Sequence, residues 1–329
     1  MGEPLLQARN LVTHLFTDSG TVHAVDGVTL HIDHGEAVAL VGESGCGKSM
    51  TALSLMRLVR PPGRIVSGQV LFEGRDLLGL PEDEMRRLRG GKLGMVFQDP
   101  MTYLNPLMRI GEQITEAVLL HQPVGRRQAR VVAHEALERV GIPAPENVID
   151  YFPHQLSGGM RQRVLIAMAI SSKPALLIAD EPTTALDVTI QAQIMRLLAH
   201  IRRELSSSML LITHDLGLVA EYCDRVYVMY AGEIVEEGNV FDIFANPQHP
   251  YTRALLRSTL SPDKPVQKFA PIDGQPPNLI VPPDGCRFHP RCTERLPKCA
   301  VEPPRSFSIE KNKMARCWLY EETASAAAS

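Results

Sequence analysis

The sequence lacks a long hydrophobic run, an excess of charge of one sign and an abundance of aromatic residues. Its longest unbroken apolar run is residues 164–170, far short of the roughly 20 residues that a membrane-spanning helix needs. Lys+Arg 34 nearly balance Asp+Glu 37, for a formal net charge of -3, and this balance disfavours a nucleic-acid partner. Because no basic stretch precedes an apolar one near the N-terminus, we expect no signal peptide and a cytoplasmic chain whose six cysteines are reduced.

Short apolar runs alternate with helical patterns over the first two-thirds of the 329 residues. The continuous runs 37–41, 175–179 and 209–212 predict strands of a parallel sheet that are buried on both faces. Residues 29–33 and 69–73 alternate between apolar and polar, which predicts half-buried antiparallel strands. The fold class indicated is α/β with a mainly parallel core sheet and an antiparallel N-terminal β subdomain.

Composition divides the chain into three parts. Residues 1–107 and 173–245 form the predicted α/β core, and residues 108–172 form a helical insertion without a strand. Residues 246–329 form a C-terminal appendage, because 13 of the 25 prolines lie between 246 and 305 and four of the six cysteines follow Gly285. Since proline at this density forbids long regular elements, we expect the appendage to be held by something other than a conventional core.

A glycine-rich motif follows the first buried strand and opens a helix. It fits the phosphate-binding pattern G-x-x-x-x-G-K-[ST], and its predicted phosphate-binding residues, with the next residue included, are Gly42, Ser44, Gly45, Cys46, Gly47, Lys48, Ser49 and Met50. Glycines allow backbone amides to curl around phosphate oxygens. Lys48 is expected to reach the β- and γ-phosphates of ATP, and Ser49 to offer its hydroxyl to Mg²⁺.

A pair of carboxylates ends the second buried run. Asp180 is predicted to join the Mg²⁺ site, and Glu181 to orient or deprotonate the attacking water. Taken alone, the pair would more readily be read as a helix cap. The phosphate-binding motif favours the metal and base roles.

The segment Leu-Ser-Gly-Gly-Met-Arg-Gln-Arg at 156–163 resembles the signature motif of ABC-type ATPases and opens a helix in the insertion. The resemblance implies that two chains sandwich two nucleotides. It implies that the residues touching the ATP held by the partner are Ser157, Gly158, Gly159 and Gln162.

Other elements of this family follow in order. Gln98 resembles the Q-loop glutamine that reaches Mg²⁺ and the attacking water, and His214 resembles the switch histidine at the γ-phosphate. Residues 185–187 resemble the D-loop that crosses the dimer interface at Asp187. The first strand departs from the pattern, because Leu15 occupies the position of the aromatic residue that stacks on adenine and Phe16 is its neighbour.

The segments 97–106, 178–189 and 249–252 narrow the resemblance to the ATPases of bacterial dipeptide/oligopeptide importers, with the dipeptide importer D-type subunits nearest. This resemblance implies a peripheral protein on the cytoplasmic face of the membrane. Its implied partners are a paralogous ATPase subunit, two transmembrane permease subunits and, indirectly, an extracytoplasmic peptide-binding protein. The implied function is ATP hydrolysis that energises peptide import. Import of another small solute such as a nickel chelate, and an ABC ATPase outside transport, stay open as alternatives.

Four cysteines in the appendage form a candidate metal site. They are Cys286, Cys292, Cys299 and Cys317, separated by five, six and seventeen residues. No C-x-x-C pair occurs, and this spacing alone leaves an iron–sulfur cluster, Zn²⁺ and unbound thiols open. Resemblance to the peptide importer subunits favours a 4Fe–4S cluster, which would supply stability that a proline-rich segment lacks. A redox role for such a cluster is a further alternative.

Overall fold

The computed structural model describes residues 2–184, 186–258, 272–310 and 312–321. The strands are β1 Leu6–Thr17, β2 Gly20–Ile32, β3 Ala37–Val41, β4 Gly63–Phe72, β5 Arg75–Asp76, β6 Leu93–Val96, β7 Leu176–Asp180, β8 Ser208–Thr213, β9 Arg225–Tyr230, β10 Glu233–Asn239, β11 Phe307–Glu310 and β12 Lys313–Ala315. The α-helices are α1 Lys48–Leu55, α2 Glu82–Leu88, α3 Pro100–Tyr103, α4 Ile110–His121, α5 Arg126–Arg139, α6 Pro145–Val148, α7 Gly158–Ile170, α8 Val188–Leu205, α9 Leu216–Tyr222, α10 Val240–Ala245 and α11 Pro250–Ser258.

The core sheet has the strand order β11-β12-β10-β9-β3-β8-β7-β6. Its five strands from β9 to β6 run parallel, and β10, β12 and β11 add antiparallel strands at one edge. Every residue of β3, β7 and β8 is buried, as expected for parallel strands covered on both faces. The predicted α/β class with a mainly parallel core sheet is confirmed.

An antiparallel sheet with the order β2-β1-β4-β5 covers one face of the core sheet. Helix α1 lies in the same apolar layer, where Ala52 and Leu55 pack among Leu11 and Leu30 of the antiparallel sheet and Leu40 of β3. This packing holds the start of α1 against the carboxyl end of β3.

Helices α4 to α7 occupy residues 110–170, and no strand lies between residues 108 and 172, all of which the structure describes. A common apolar core joins them, in which Ile114 of α4, Ala133 and Leu137 of α5 and Val164 and Ile166 of α7 are fully buried. The same core continues under β6 and β7, so these helices fix where α7 begins relative to the sheet.

The appendage joins the core sheet, and our expectation that it lacks a conventional core is wrong. Strand β12 pairs with β10, with Ala315 opposite Glu236. Tyr251 and Phe288 are buried in one apolar cluster with Tyr230 of β9. Proline disrupts this region less than its density suggests, because several prolines stand at the first turn of a helix, where the missing N–H is not needed.

Across the described ranges, no helix combines the length and the apolar character that crossing a membrane would require.

Candidate functional site

The phosphate-binding motif forms a tight loop between β3 and α1. Gly42, Gly45 and Gly47 have φ values of 155°, 78° and 110°, which side chains rarely adopt. A Cβ atom would lie 2.2 Å from the Met229 carbonyl oxygen at Gly42, and 2.2 Å from the Ala24 carbonyl oxygen at Gly47. Glycine is therefore required at both ends of the loop by the strands on either side.

Of the other residues predicted to bind phosphate, Ser44 and Gly45 are exposed, Met50 is half-buried and Cys46 is buried.

Lys48 is held inside this loop. Its side chain is buried, and its Nζ donates hydrogen bonds to the carbonyl oxygens of Gly42 at 2.8 Å and Glu43 at 3.0 Å. Lys48 is also the first residue of α1, whose free N-terminal amides carry partial positive charge. An ammonium group and a helix N-terminus at one point make a binding place for phosphate.

Asp180 and Ser49 meet beside the loop. The Ser49 hydroxyl donates to Asp180 Oδ1 at 2.9 Å. The pKa of Asp180 is raised to about 6, chiefly by burial and to a smaller degree by Glu181, although the Ser49 hydrogen bond and Lys48 act to lower it. A hydroxyl and a carboxylate are hard oxygen donors of the kind that Mg²⁺ prefers. The two side chains therefore fit the predicted Mg²⁺ site.

Glu181 gathers three polar side chains from separate segments. Gln98 Nε2 donates to Glu181 Oε2 at 3.1 Å, and Thr184 Oγ1 donates to the same oxygen at 2.9 Å. His214 Nδ1 lies 3.7 Å from Glu181 Oε1. The structure thus brings the predicted Gln98, Glu181 and His214 together. Sequence reasoning missed Thr184, although its place three residues after Glu181 was a signal for this contact.

The signature motif and the D-loop lie side by side in one chain. Ser157 caps α7, where its Oγ accepts a hydrogen bond from the Met160 N–H at 3.3 Å. A Cβ at Gly158 would lie 3.8 Å from the Leu186 side chain, and one at Gly159 3.0 Å from the Ile190 side chain. Asp187 is exposed and caps α8 by accepting from the Ile190 N–H at 2.9 Å. Ala185 of the predicted D-loop lies outside the described residues.

Gln162 is buried, whereas the signature prediction requires it to be exposed so that it can touch the ATP held by the partner chain. Its side chain is only 1% exposed, so a second chain cannot reach it on this surface. Its Nε2 has no hydrogen-bond partner among the described residues. Gln162 lies four residues after Gly158 and three after Gly159, so it shares their face of α7. It is buried because the apolar core covers the helix beyond its first turn, where residues 164–167 are all buried.

The predicted adenine position lies on β1. Leu15 is half-buried, whereas the neighbouring Phe16 is 42% exposed. The Arg64 guanidinium lies over the Phe16 ring, 4.7 Å from its centroid. The exposed aromatic side chain is therefore Phe16.

The four cysteines of the appendage lie close together. Three of them are buried, Cys292 is half-buried, and none is in a disulfide. Burial, with smaller contributions from the neighbouring cysteines, raises the pKa of Cys286 to about 11 and that of Cys317 to about 12. The Cys286 N–H also donates to the Cys299 carbonyl oxygen at 2.8 Å. The segments that carry the thiols therefore converge on one place.

Distances between the possible ligand atoms show where a single metal ion could be bound. Among the described residues, three metal-ligand atoms lie within 4.8 Å of one another only at His14, His23 and Asp26. The carboxylate of Asp26 is already paired with the Arg287 guanidinium, whose charge opposes a cation there. No three of the four thiol sulfurs therefore lie within 4.8 Å of one another.

Comparison with known proteins agrees with this geometry. The profile of the ABC transporter family matches residues 25–184, and that of the oligopeptide/dipeptide transporter C-terminal region matches residues 235–299. The chain is 48% identical over 319 residues to the oligopeptide transport ATP-binding protein AppD of Bacillus subtilis (strain 168), covering 97% of both chains. It is 48% identical over 323 residues to the dipeptide transport ATP-binding protein DppD of the same strain, covering 98% of this chain and 96% of that one.

The fold is also similar to a solved structure. The dimeric, post-hydrolysis ATP-binding cassette MJ0796 with ADP and Pi superposes with a TM-score of 0.65 at 28% identity, over 71% of this chain and 98% of that one. The similarity in sequence runs over nearly the whole chain, and the similarity in structure covers the core. The chain therefore belongs to the ABC transporter ATPases, which hydrolyse ATP with Mg²⁺, and carries the C-terminal region of the oligopeptide/dipeptide transporters.

Proposed function

We propose that this chain is the ATP-hydrolysing subunit that energises import of di- or oligopeptides through a membrane transporter. The observation that carries the proposal is the meeting of Ser49 with Asp180, and of Glu181 with Gln98 and His214, beyond the carboxyl ends of parallel strands. Ligands bind at this edge of such sheets. The peptide specificity rests on the likeness to AppD and DppD, whose names give oligopeptide and dipeptide transport.

Each side chain has a distinct task in this proposal. The amides of the loop 42–49 and the Lys48 ammonium bind the β- and γ-phosphates. Ser49, Gln98 and Asp180 would hold Mg²⁺, which would neutralise charge on the phosphate oxygens. Glu181 accepts a proton from the attacking water, and Gln98, 3.1 Å from its carboxylate, orients that water. His214, whose Nδ1 lies 3.7 Å from Glu181 Oε1, would contact the γ-phosphate.

Two chains are needed to complete each site in this proposal. The tip formed by Ser157 and Gly158 is exposed beside the D-loop, so both can contact a second chain. The solved MJ0796 cassette is a dimer with ADP and Pi. Binding of ATP between the phosphate loop of one chain and the signature tip of the other would close the dimer, and hydrolysis would release it. We propose a paralogous ATPase subunit as the partner.

Substitution of Glu181 by Gln tests the catalytic assignment. The variant keeps the hydrogen bonds from Gln98 and Thr184 but loses a basic carboxylate, so steady-state ATP hydrolysis should fall about 10²- to 10⁴-fold. Equilibrium binding of ATP should stay within about twofold. Glu116→Gln on the exposed side of α4 is the matched control and should hydrolyse ATP normally. Near-normal turnover by the Glu181 variant would contradict the role of this carboxylate.

A surface beside the Q-loop is our candidate for docking the permease subunits. Met101, Tyr103 and Leu107 are 57%, 45% and 86% exposed, an unusual set of apolar side chains after Gln98. Tyr103 stacks on Phe97, the residue before Gln98, with ring centroids 3.8 Å apart. Motion of Gln98 on ATP binding would therefore be passed to this surface. The chain would then lie at the cytoplasmic face of the membrane without spanning it.

Pull-down from native membranes tests this assembly. We expect two permease subunits, a paralogous ATPase and, when substrate is present, a peptide-binding protein. Leu107→Asp should lose the permeases while ATP binding persists, and Leu120→Asp, at another apolar side chain that is 70% exposed, is the matched control. Companion permeases that carry a different solute would redirect the function to that solute. Recovery of soluble companions alone would overturn the transport assignment.

We also propose that the four cysteines bind a 4Fe–4S cluster. The four thiols lie near one another, and thiolates are the soft ligands that iron–sulfur clusters use. Anaerobically purified protein should be brown, with equal amounts of iron and acid-labile sulfide. Cys299→Ser should lose the colour, whereas Cys223→Ser, away from the cluster, should keep it. Colourless protein that contains zinc would refute the assignment.

A further inference from the structure

Two arginines in the cysteine-bearing segment 286–292 reach into the nucleotide-binding core. Arg287 follows Cys286, donates to the Ala231 carbonyl oxygen and pairs with Asp26 of β2. Arg291 precedes Cys292 and reaches Glu43, the second residue of the phosphate-binding motif. Neither contact is part of the catalytic scheme above, and the second one ends inside the phosphate loop.

The contact between Arg291 and Glu43 is a bidentate ion pair. Arg291 Nη1 lies 2.7 Å from Glu43 Oε2, and Nη2 lies 3.0 Å from Glu43 Oε1. The two side chains are only 5% and 23% exposed, so water screens the pair weakly. Two parallel hydrogen bonds fix the orientation of the carboxylate as well as its position.

Other contacts hold the Arg291 side chain in one place. Its Nε donates to the Asp273 carbonyl oxygen at 2.8 Å, and its Nη2 to the Ile272 carbonyl oxygen at 3.1 Å. Its Nη1 also lies 3.3 Å from Tyr230 Oη. Since the guanidinium is fixed by the appendage and by β9, it acts as a stationary anchor for Glu43.

Glu43 passes this anchoring to the phosphate-binding lysine. Its carbonyl oxygen accepts a hydrogen bond from Lys48 Nζ at 3.0 Å. Its N–H donates to Tyr251 Oη at 2.8 Å. Displacement of Glu43 would therefore shift an acceptor of the Lys48 ammonium as well as the peptide that begins the loop.

Tyr251 is in turn packed by the cysteine-bearing segment. The Phe288 ring lies 5.4 Å from the Tyr251 ring and 5.2 Å from the Tyr230 ring. Segment 286–292 therefore supports Glu43 twice, through Arg291 on its side chain and through Phe288 and Tyr251 on its backbone.

We infer that Arg291 is a positioning residue for ATP binding, which holds Glu43 and the phosphate loop in the shape that accepts phosphates and so couples segment 286–292 to nucleotide affinity. The inference rests on the proposed nucleotide site. It assigns to the appendage an action on the ATP site of its own chain. Arg291 does not touch the reacting atoms.

A double-mutant cycle on the full-length chain tests the coupling. The variants are Arg291→Gln, Glu43→Gln and both together, and the probe is a non-hydrolysable ATP analogue in an equilibrium binding assay. Each single variant should raise the Kd of the analogue about tenfold. The double variant should be no weaker than either single one, because both remove the same interaction. Arg291→Lys should recover little, since lysine cannot form the two parallel bonds.

Further readouts separate positioning from a general loss of structure. For ATP hydrolysis, the single variants should raise KM about tenfold while kcat stays within about twofold. Glu294→Gln is the matched control, because Glu294 pairs with Arg253 in the same appendage at 3.0 Å without reaching the phosphate loop. By thermodynamic reciprocity, the analogue should slow hydrogen exchange of segment 286–292 in the wild type and not in Arg291→Gln.

Several results would overturn the inference. Binding by both single variants within twofold of wild type would show that the pair does not position the loop. Additive losses in the double variant would show that the two residues act separately. Should Arg291→Gln fail to fold, Glu43→Gln carries the test alone, because it leaves the appendage intact. Failure of the wild type to bind the analogue would instead refute the proposed nucleotide site.

Discussion

His249 gives a prediction of pH-dependent stability that follows from its burial. It lies at the start of α11, is only 1% exposed and packs against the Phe288 ring. Its Nδ1 accepts a hydrogen bond from the Tyr251 N–H at 3.1 Å, and its Nε2 is buried with no hydrogen-bond partner among the described residues. Burial, together with a smaller contribution from the charge of Arg253, lowers the pKa of His249 from 6.5 to about 3.

The sign follows from proton uptake in the two states. The unfolded chain binds a proton at His249 below pH 6.5, whereas the folded chain stays neutral there down to about pH 3. Stability is therefore fully present above the unfolded pKa and is lost as the pH falls below it. Because pH 5 lies about 1.5 below the unfolded pKa, protonation of His249 at that pH favours the unfolded chain by about 2 kcal/mol.

Urea unfolding of the wild type and of His249→Asn, at about pH 7.5 and about pH 5, measures the contribution of His249 to the free energy of unfolding. Asparagine keeps an acceptor near the Nδ1 position and does not titrate. We expect the wild type to lose about 2 kcal/mol more than the variant between the two pH values. Equal losses in the two proteins would refute the reasoning, because they would show that folded His249 takes up a proton as readily as the unfolded chain.

Further predictions concern the nucleotide site and the dimer. Gly47→Ala should raise the Kd for ATP more than ~10-fold, because its Cβ would collide with a carbonyl oxygen, whereas Gly45→Ala, with open space around its Cβ, should change binding only a few-fold. Ser49→Ala should raise the Mg²⁺ concentration for half-maximal ATP hydrolysis several-fold, and unchanged Mg²⁺ dependence would exclude its hydroxyl from the metal site. Val188→Asp, at a side chain 82% exposed beside the D-loop, should abolish ATP-dependent dimerisation in size-exclusion chromatography. Val301→Asp, at a side chain 75% exposed in the appendage, should dimerise normally, and equal behaviour of the two variants would contradict the proposed interface.

Patterns of neighbouring residues were sufficient to predict the elements whose shape depends on a short stretch of chain. The run 37–41 became a fully buried parallel strand because continuous apolar side chains suit a strand covered on both faces. The motif 42–49 predicted a glycine-rich loop that opens a helix, and the structure has that loop between β3 and α1, with positive φ values at Gly42, Gly45 and Gly47. A phosphate site of this kind is encoded within eight consecutive residues, so the sequence displays it directly.

Contacts between distant segments escaped prediction. Arg291 and Glu43 are 248 residues apart in the chain, and no sequence pattern that includes one of them predicts contact with the other. Gln162 was misplaced because its motif does not state where along α7 the apolar core begins to cover the helix. The appendage was expected to be held by something other than a conventional core, yet β12 pairs with β10 some 80 residues earlier, because an edge strand of the core sheet was open to it.

The amino-acid order alone determined the family, the α/β class and the chemistry of each candidate residue, because these depend on residue types at short spacings. Tertiary structure decided which of those residues meet, as when Glu181 gathers Gln98 and His214 from separate strand ends. It also decided that the cysteine-bearing segment supports the phosphate loop. Both outcomes depend on how two sheets and the appendage pack together, and packing between remote segments leaves no periodic trace in a sequence.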